Sequence, residues 1–199
     1  MPVDECCEIR DVPREQRRVL HAVLALNAAM FLVESVAGLV SHSTALLGDS
    51  LDMLGDALVY GFSLYVIGRG HRWQARAALL KGTIMAAFGA AVLAQAALTL
   101  ARGLSPAADV MGIVGLAALA ANVVCLVLLW RHRGDDINMR SAWLCSRNDV
   151  VANVAVLLAA LAVGLSGSSW PDIVIGLIIA GVFGRSALQI VRQARRAVA

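Results

Sequence analysis

Six apolar stretches, each close to the ~20 residues that carry a helix across a bilayer, recur along this chain and constrain its fold more than any other feature. They cover about 19–40, 44–67, 77–101, 110–130, 139–165 and 173–191. The breaks between them include HRW, GLSPAAD, RHRGDD and GLSGSSWPD, which combine charge, Gly, Pro and Ser as loops do. Lipid offers the backbone no hydrogen-bond partners, so stretches of this length fold as helices. Composition agrees: 59% of the 199 residues are hydrophobic and 16% charged, against roughly 45–50% and ~25% in a soluble domain. The expected class is all-α, a polytopic membrane protein with a six-transmembrane-helix bundle. The expected organisation is a tail at 1–18, a membrane domain at 19–191 and a short tail at 192–199.

Arginine placement predicts the sidedness. Arg10, Arg14, Arg17 and Arg18 precede the first stretch, Arg69, Arg72 and Arg76 separate the second from the third, and Arg131, Arg133 and Arg140 separate the fourth from the fifth. Arg192, Arg195 and Arg196 follow the last, whereas the opposite loops, around His42, Ser105 and Ser168, offer Arg102 alone. Short cytoplasmic loops carry the excess of basic residues, so both termini are expected in the cytoplasm. The opening MPVDECCEIRDVPREQRR is polar and mixed in charge; it lacks the pattern of a cleavable leader, and the first helix is expected to direct insertion. The net charge of +3 is not gathered into a basic stripe with interleaved aromatics, which argues against a nucleic-acid partner. A bacterial plasma membrane is the expected location.

The functional signal lies inside the apolar stretches. An ionisable group at mid-membrane costs at least ~2.5–3.5 kcal/mol on insertion scales, and such groups usually line an ion or proton path. The second stretch, TALLGDSLDMLGDALVYGFSLY, contains Asp49, Asp52 and Asp56. Asp52 and Asp56 are four apart and stack on one helical face, which Asp49 shares. Two carboxylates so placed cannot both stay ionised in a dry site without a cation. In the fifth stretch Cys145 and Asp149 are also four apart. Together Asp52, Asp56, Cys145 and Asp149 supply four ligands from two helices. Four N, S or O donors suit tetrahedral zinc, and a thiolate favours softer ions.

Other polar groups have plainer explanations. Asn27, Gln95, Asn122 and Asn153 read as interhelical hydrogen-bonding residues, and Cys125 as a small packing group. Glu34 either lines the cavity or pairs with a neighbouring helix. Asp49, about two turns outward of Asp56, is either a further ligand or an entry residue. Cys6 and Cys7, flanked by Glu5 and Glu8, form a second soft-metal candidate within a solvated tail. Cysteine spacing matches neither a zinc finger nor a disulfide framework.

From Asn27 and Glu34, through STALLGDSLDMLGDAL, to NMRSAWLCSRND, the chain resembles the cation diffusion facilitator family of metal/proton exchangers. Members typically carry a (His or Asp)-x-x-x-Asp pair in the second helix and a His-x-x-x-Asp pair in the fifth. Asp52 and Asp56 match the first pair and Asp149 the last Asp, while Cys145 stands where the family usually has His. Many relatives add a cytoplasmic metal-binding domain after the sixth helix; here the chain stops within about eight residues of it, and a homodimer is expected to rest on membrane helices. The loop RHRGDDINMR holds only His132, unlike the His-rich loop of some zinc-handling relatives.

The resemblance implies proton-coupled efflux of zinc, cadmium or cobalt by alternating access, with the metal as substrate and no cofactor. Metal capture needs deprotonated ligands, so it releases protons. An intramembrane aspartyl protease also uses two Asp residues, but the G-x-G-D pattern is missing and these acids share one helix. A non-enzymatic carrier is therefore expected. A non-transporting metal sensor would account for DECCEIRD but gives no reason for paired carboxylates at mid-membrane depth.

Protease protection of terminal epitope tags in oriented membranes checks the sidedness. Both termini are expected on the cytoplasmic side, and an externally accessible C-terminus would overturn the topology.

Overall fold

Apolar stretches set where the helices run, but the helices overrun them. The computed structural model describes residues 14–66, 71–134 and 137–198, so Cys6 and Cys7 lie outside the described residues. Six helices follow in order: α1 (Arg14–Val40), α2 (Thr44–Val66), α3 (His71–Arg102), α4 (Ala108–Trp130), α5 (Ile137–Ser166) and α6 (Trp170–Val198). Every regular element among the described residues is helical. The HRW segment, expected as a break, instead opens α3, and α6 continues past 191 to Val198. Helical hydrogen bonding needs no apolar surroundings, so a helix can carry charged side chains beyond the lipid layer. The Gly-rich breaks shrink to turns at 103–107 and 167–169.

Five helices contain a segment long and apolar enough to cross a membrane. Their exposed faces carry large apolar side chains, among them Leu32, Val36, Ile113, Leu116, Val151 and Leu161, while polar groups turn inward. That inversion of the soluble pattern is what lipid demands. The remaining helix, α2, holds the three Asp residues and packs against α1, α3, α5 and α6. Every residue from Ser43 to Met53 is buried, and none of the exposed large apolar side chains among the described residues belongs to α2. It is a central helix, screened from lipid by its neighbours.

The turns α1–α2, α3–α4 and α5–α6 share one face of the bundle. Ala107 N–H donates to the Ser41 carbonyl at 3.1 Å, joining the first two. Each ends its helix with a 6→1 bond, Ser43 N to Gly38 O and Leu104 N to Thr99 O, around left-handed residues His42 (φ 56) and Gly103 (φ 61). These are Schellman motifs. The third turn is tied in through Asp172. Its Oδ1 accepts from Ser43 Oγ at 2.5 Å and from Ala45 N at 3.0 Å, and its Oδ2 accepts from Thr44 N at 2.7 Å. Ser43 Oγ in turn accepts from Leu46 N. The first turn of α2, whose N–H groups have no partner within the helix, is thus capped by its own serine and by a carboxylate from α6.

Close backbone contact accompanies that cap. A Cβ built on Gly176 would sit 2.5 Å from the Thr44 carbonyl carbon and 2.6 Å from its oxygen, so α6 reaches the α2 backbone only because residue 176 has no side chain. Small residues permit this approach where helices associate in lipid.

Gly176→Ala is expected to destabilise the bundle by about 1–3 kcal/mol, the usual cost of overpacking. Gly181→Ala meets no atom within 4 Å and is expected to be neutral or to gain ~0.5–1 kcal/mol from helix propensity. Thermal unfolding in detergent checks the contrast, and equal behaviour of the two variants would refute the close-approach account.

Candidate metal site

Helix periodicity puts Asp49, Asp52 and Asp56 on one face of α2 and Cys145, Asp149 and Asn153 on one face of α5, and the two helices pack together. α2 runs away from the capped face and α5 runs towards it, so the two series oppose each other as rungs. The rung nearest the capped face is explicit: Asn153 Nδ2 donates to Asp49 Oδ1 at 3.1 Å, and also to the Asp149 carbonyl at 3.0 Å. At the middle rung the Asp52 and Asp149 carboxyls lie within hydrogen-bonding reach of each other. At the level farthest from the capped face stand Asp56 and Cys145, both close enough to Asp149 to act on its charge.

Depth follows from helix rise. Asp52 is eight residues below Thr44, or ~12 Å at 1.5 Å per residue. From the other side, Trp130 and Trp143 meet edge to face with centroids 5.6 Å apart, and the Arg133 guanidinium lies 3.6 Å over the Trp130 ring. Such aromatic and basic side chains belong at a membrane–water interface. Asp149 is six residues inward of Trp143, ~9 Å along the helix. The middle rung therefore lies within the apolar layer.

The electrostatics there are one-sided. Glu34, Asp49, Asp52, Asp56 and Asp149 are all buried, as is Asp172 at the cap, and among the described residues no Lys or Arg is buried. Five carboxyls in the core must take their neutralisation from protons or from a cation. Cys145 is half-buried beside Asp149. Among the described residues no three His, Cys, Asp or Glu side chains converge closely enough to hold one metal ion together. The fold joins the two predicted pairs through Asp52 and Asp149, with Asp56 and Cys145 a turn inward.

The other sequence expectations divide. Asn27 donates to the Val23 carbonyl at 2.9 Å and reaches Cys125 Sγ at 3.9 Å, which is the interhelical role expected of it, and Cys125 is buried in a cluster with Leu20, Val23 and Leu129. Asn153 also links helices, but its partner is Asp49, at the acidic face itself. Glu34 is fully buried and lies near Asp49 and Asp52, so it faces the acidic interior. Asp172 was not singled out in the sequence, where it closes a Pro-containing loop signal; its role as a cap depends on a residue 128 positions away.

The transmembrane-domain model of cation efflux proteins matches residues 20–197. Among curated proteins, the metal cation efflux system protein CzcD of Cupriavidus metallidurans is 24% identical over 181 residues, covering 85% of this chain and 57% of that protein. The zinc transporter ZitB of Yersinia pestis is 28% identical over 193 residues, 89% of this chain and 61% of that one. The cadmium, cobalt and zinc/H(+)-K(+) antiporter of Bacillus velezensis is 22% identical over 191 residues, covering 88% and 61%. The chain thus spans about three-fifths of the length of these relatives. A six-helix bundle around a buried acidic helix, matched by that model over nearly its whole length, belongs to the cation efflux family.

Proposed function

We propose that this protein carries divalent metal cations, zinc with cadmium or cobalt as further substrates, across a bacterial plasma membrane by proton-coupled alternating access. The observation that carries the proposal is the contact of Asp52 with Asp149 in an interior whose buried charged groups, among the described residues, are all acidic. The names of the relatives, zinc transporter and cadmium, cobalt and zinc antiporter, agree with it.

In this reading Asp52, Asp56, Cys145 and Asp149 form the transport site. A divalent ion arriving from the cytoplasm draws the middle and inner rungs together, and its charge replaces the protons that the carboxyls and thiol give up. Protonation from the far side then favours release. The thiol must lose a proton before its sulfur ligates, whereas a neutral imidazole ligates as it stands, so Cys145 ties metal capture to pH more tightly than His would. The arginine bias supports an external position for the capped face. A homodimer joined through the outward apolar faces of the helices belongs to the same reading, as does a carrier without enzymatic chemistry. A metal sensor would leave the Asp52–Asp149 contact without a task.

Asp52→Ala and Asp149→Ala are each expected to cut zinc flux into proteoliposomes by at least ~100-fold while the protein still inserts and unfolds cooperatively. Normal flux in both would sink the site assignment. For Cys145, softness of the thiolate predicts that Cys145→Ser lowers cadmium flux relative to zinc and flattens the pH dependence, while Cys145→His restores zinc. An unchanged cadmium-to-zinc ratio and pH profile in Cys145→Ser would make Cys145 a packing residue.

A further inference from the structure

Four buried oxygen atoms on the outward side of the Asp52–Asp149 contact accept no hydrogen bond: Glu34 Oε1 and Oε2, Asp49 Oδ2 and Asn153 Oδ1. They come from α1, α2 and α5. Glu34 is six residues before the end of α1 and Asp49 five residues after the start of α2, so in this hairpin both sit ~8–9 Å below the turn. Asn153 reaches the same level, because its amide nitrogen is bonded to Asp49 Oδ1 at 3.1 Å. All three residues are buried, Glu34, Asp49 and Asn153 each with no exposed surface. Glu34 is near enough to both Asp49 and Asp52 to act on their charge.

A buried acceptor without a donor is unfavourable, and packing gives no reason to gather four of them. We infer that Glu34, Asp49 and Asn153 form a second cation station, one turn outward of the Asp52–Asp149 pair, that receives the metal ion on its way to the external face. The inference rests on the transport reading above. Its donors are all oxygens, from two carboxylates and an amide, where the inner set includes a thiolate. Oxygen donors hold a soft divalent ion less firmly than sulfur does, so the ion loses its strongest ligand as it moves outward. Asn153 is bonded to the Asp49 carboxylate and to the Asp149 backbone, which links the two levels.

The test counts cadmium ions bound per chain by equilibrium dialysis, using full-length protein in detergent with Cys6→Ser and Cys7→Ser to remove the tail thiols. Cadmium salt alone is the probe, and the thiolate-to-cadmium absorption band distinguishes the levels. A first equivalent is expected to bring the band, and a second to bind without adding to it. Glu34→Gln and Asp49→Asn, both near-isosteric, are each expected to weaken the second equivalent by more than about tenfold and to leave the first and its band in place. Cys145→Ser is expected to remove the band and spare the second. A single equivalent, or a second that survives both Glu34→Gln and Asp49→Asn, overturns the outer station and leaves the transport site standing. Absence of any bound cadmium overturns both.

Discussion

The constraint on which the rest of this structure depends is charge balance in a dry interior. Five carboxyls lie inside the bundle, and among the described residues no buried Lys or Arg offsets them. Burying even one uncompensated carboxylate costs several kcal/mol, so the interior can exist only with protons or cations in it. A soluble protein would answer with an arginine. Here the compensating charge is left to come from outside the chain, and what can leave and return can be transported.

A second requirement follows, since a helix carrying three aspartates cannot face lipid. α2 is enclosed by α1, α3, α5 and α6, and the enclosure is fixed most firmly at the capped face. There Asp172 shows what a satisfied buried carboxylate looks like: it accepts three hydrogen bonds, from Ser43, Thr44 and Ala45. The oxygens of Glu34 have no such donors. A buried carboxyl thus serves as an anchor at one depth and, in the inferred second station, as a cation ligand at another. Local donors decide which: the free N–H groups of a helix start supply them at the cap, and mid-helix backbone, already bonded to itself, cannot.

Much of this was legible in the sequence. Apolar length gave the six helices, and the i, i+4 spacings at Asp52/Asp56 and Cys145/Asp149 named the two faces that the fold brings together, because helical periodicity is a local property. Helix ends were less legible. HRW lies inside α3 because polarity marks where lipid stops, not where hydrogen bonding does. Asp172 and Gly176 were missed for a different reason: their roles are defined by Thr44, more than a hundred residues away, and no local pattern distinguishes a capping Asp from a loop Asp. Glu34 was seen as either cavity-lining or paired, and only the packing of α1 on α2 shows its carboxyl turned toward Asp49.

The antiparallel course of α2 and α5 gives the ladder of rungs a chemical direction. Read towards the capped face, the rungs pass from Asp56 with Cys145, through Asp52 with Asp149, to Asp49 with Asn153. Formal negative charge available to a cation is two at each of the first two rungs, from a carboxylate with an ionisable thiol and then from two carboxylates, and one at the third, a carboxylate beside a neutral amide. Softness falls with it, since the only sulfur is at the inner end. In the proposed function this gradient has a physical consequence: the strongest and most proton-dependent binding is on the side where a metal ion is scarce, and the weaker oxygen donors are on the side where it must be given up. Glu34 supplies the second carboxylate at the Asp49 level, so that in the proposed function the ion moves between adjacent anionic levels without crossing uncompensated hydrocarbon. A helix pair that matched rungs in the parallel sense would place Cys145 opposite Asp49 or beyond it and would lose that order.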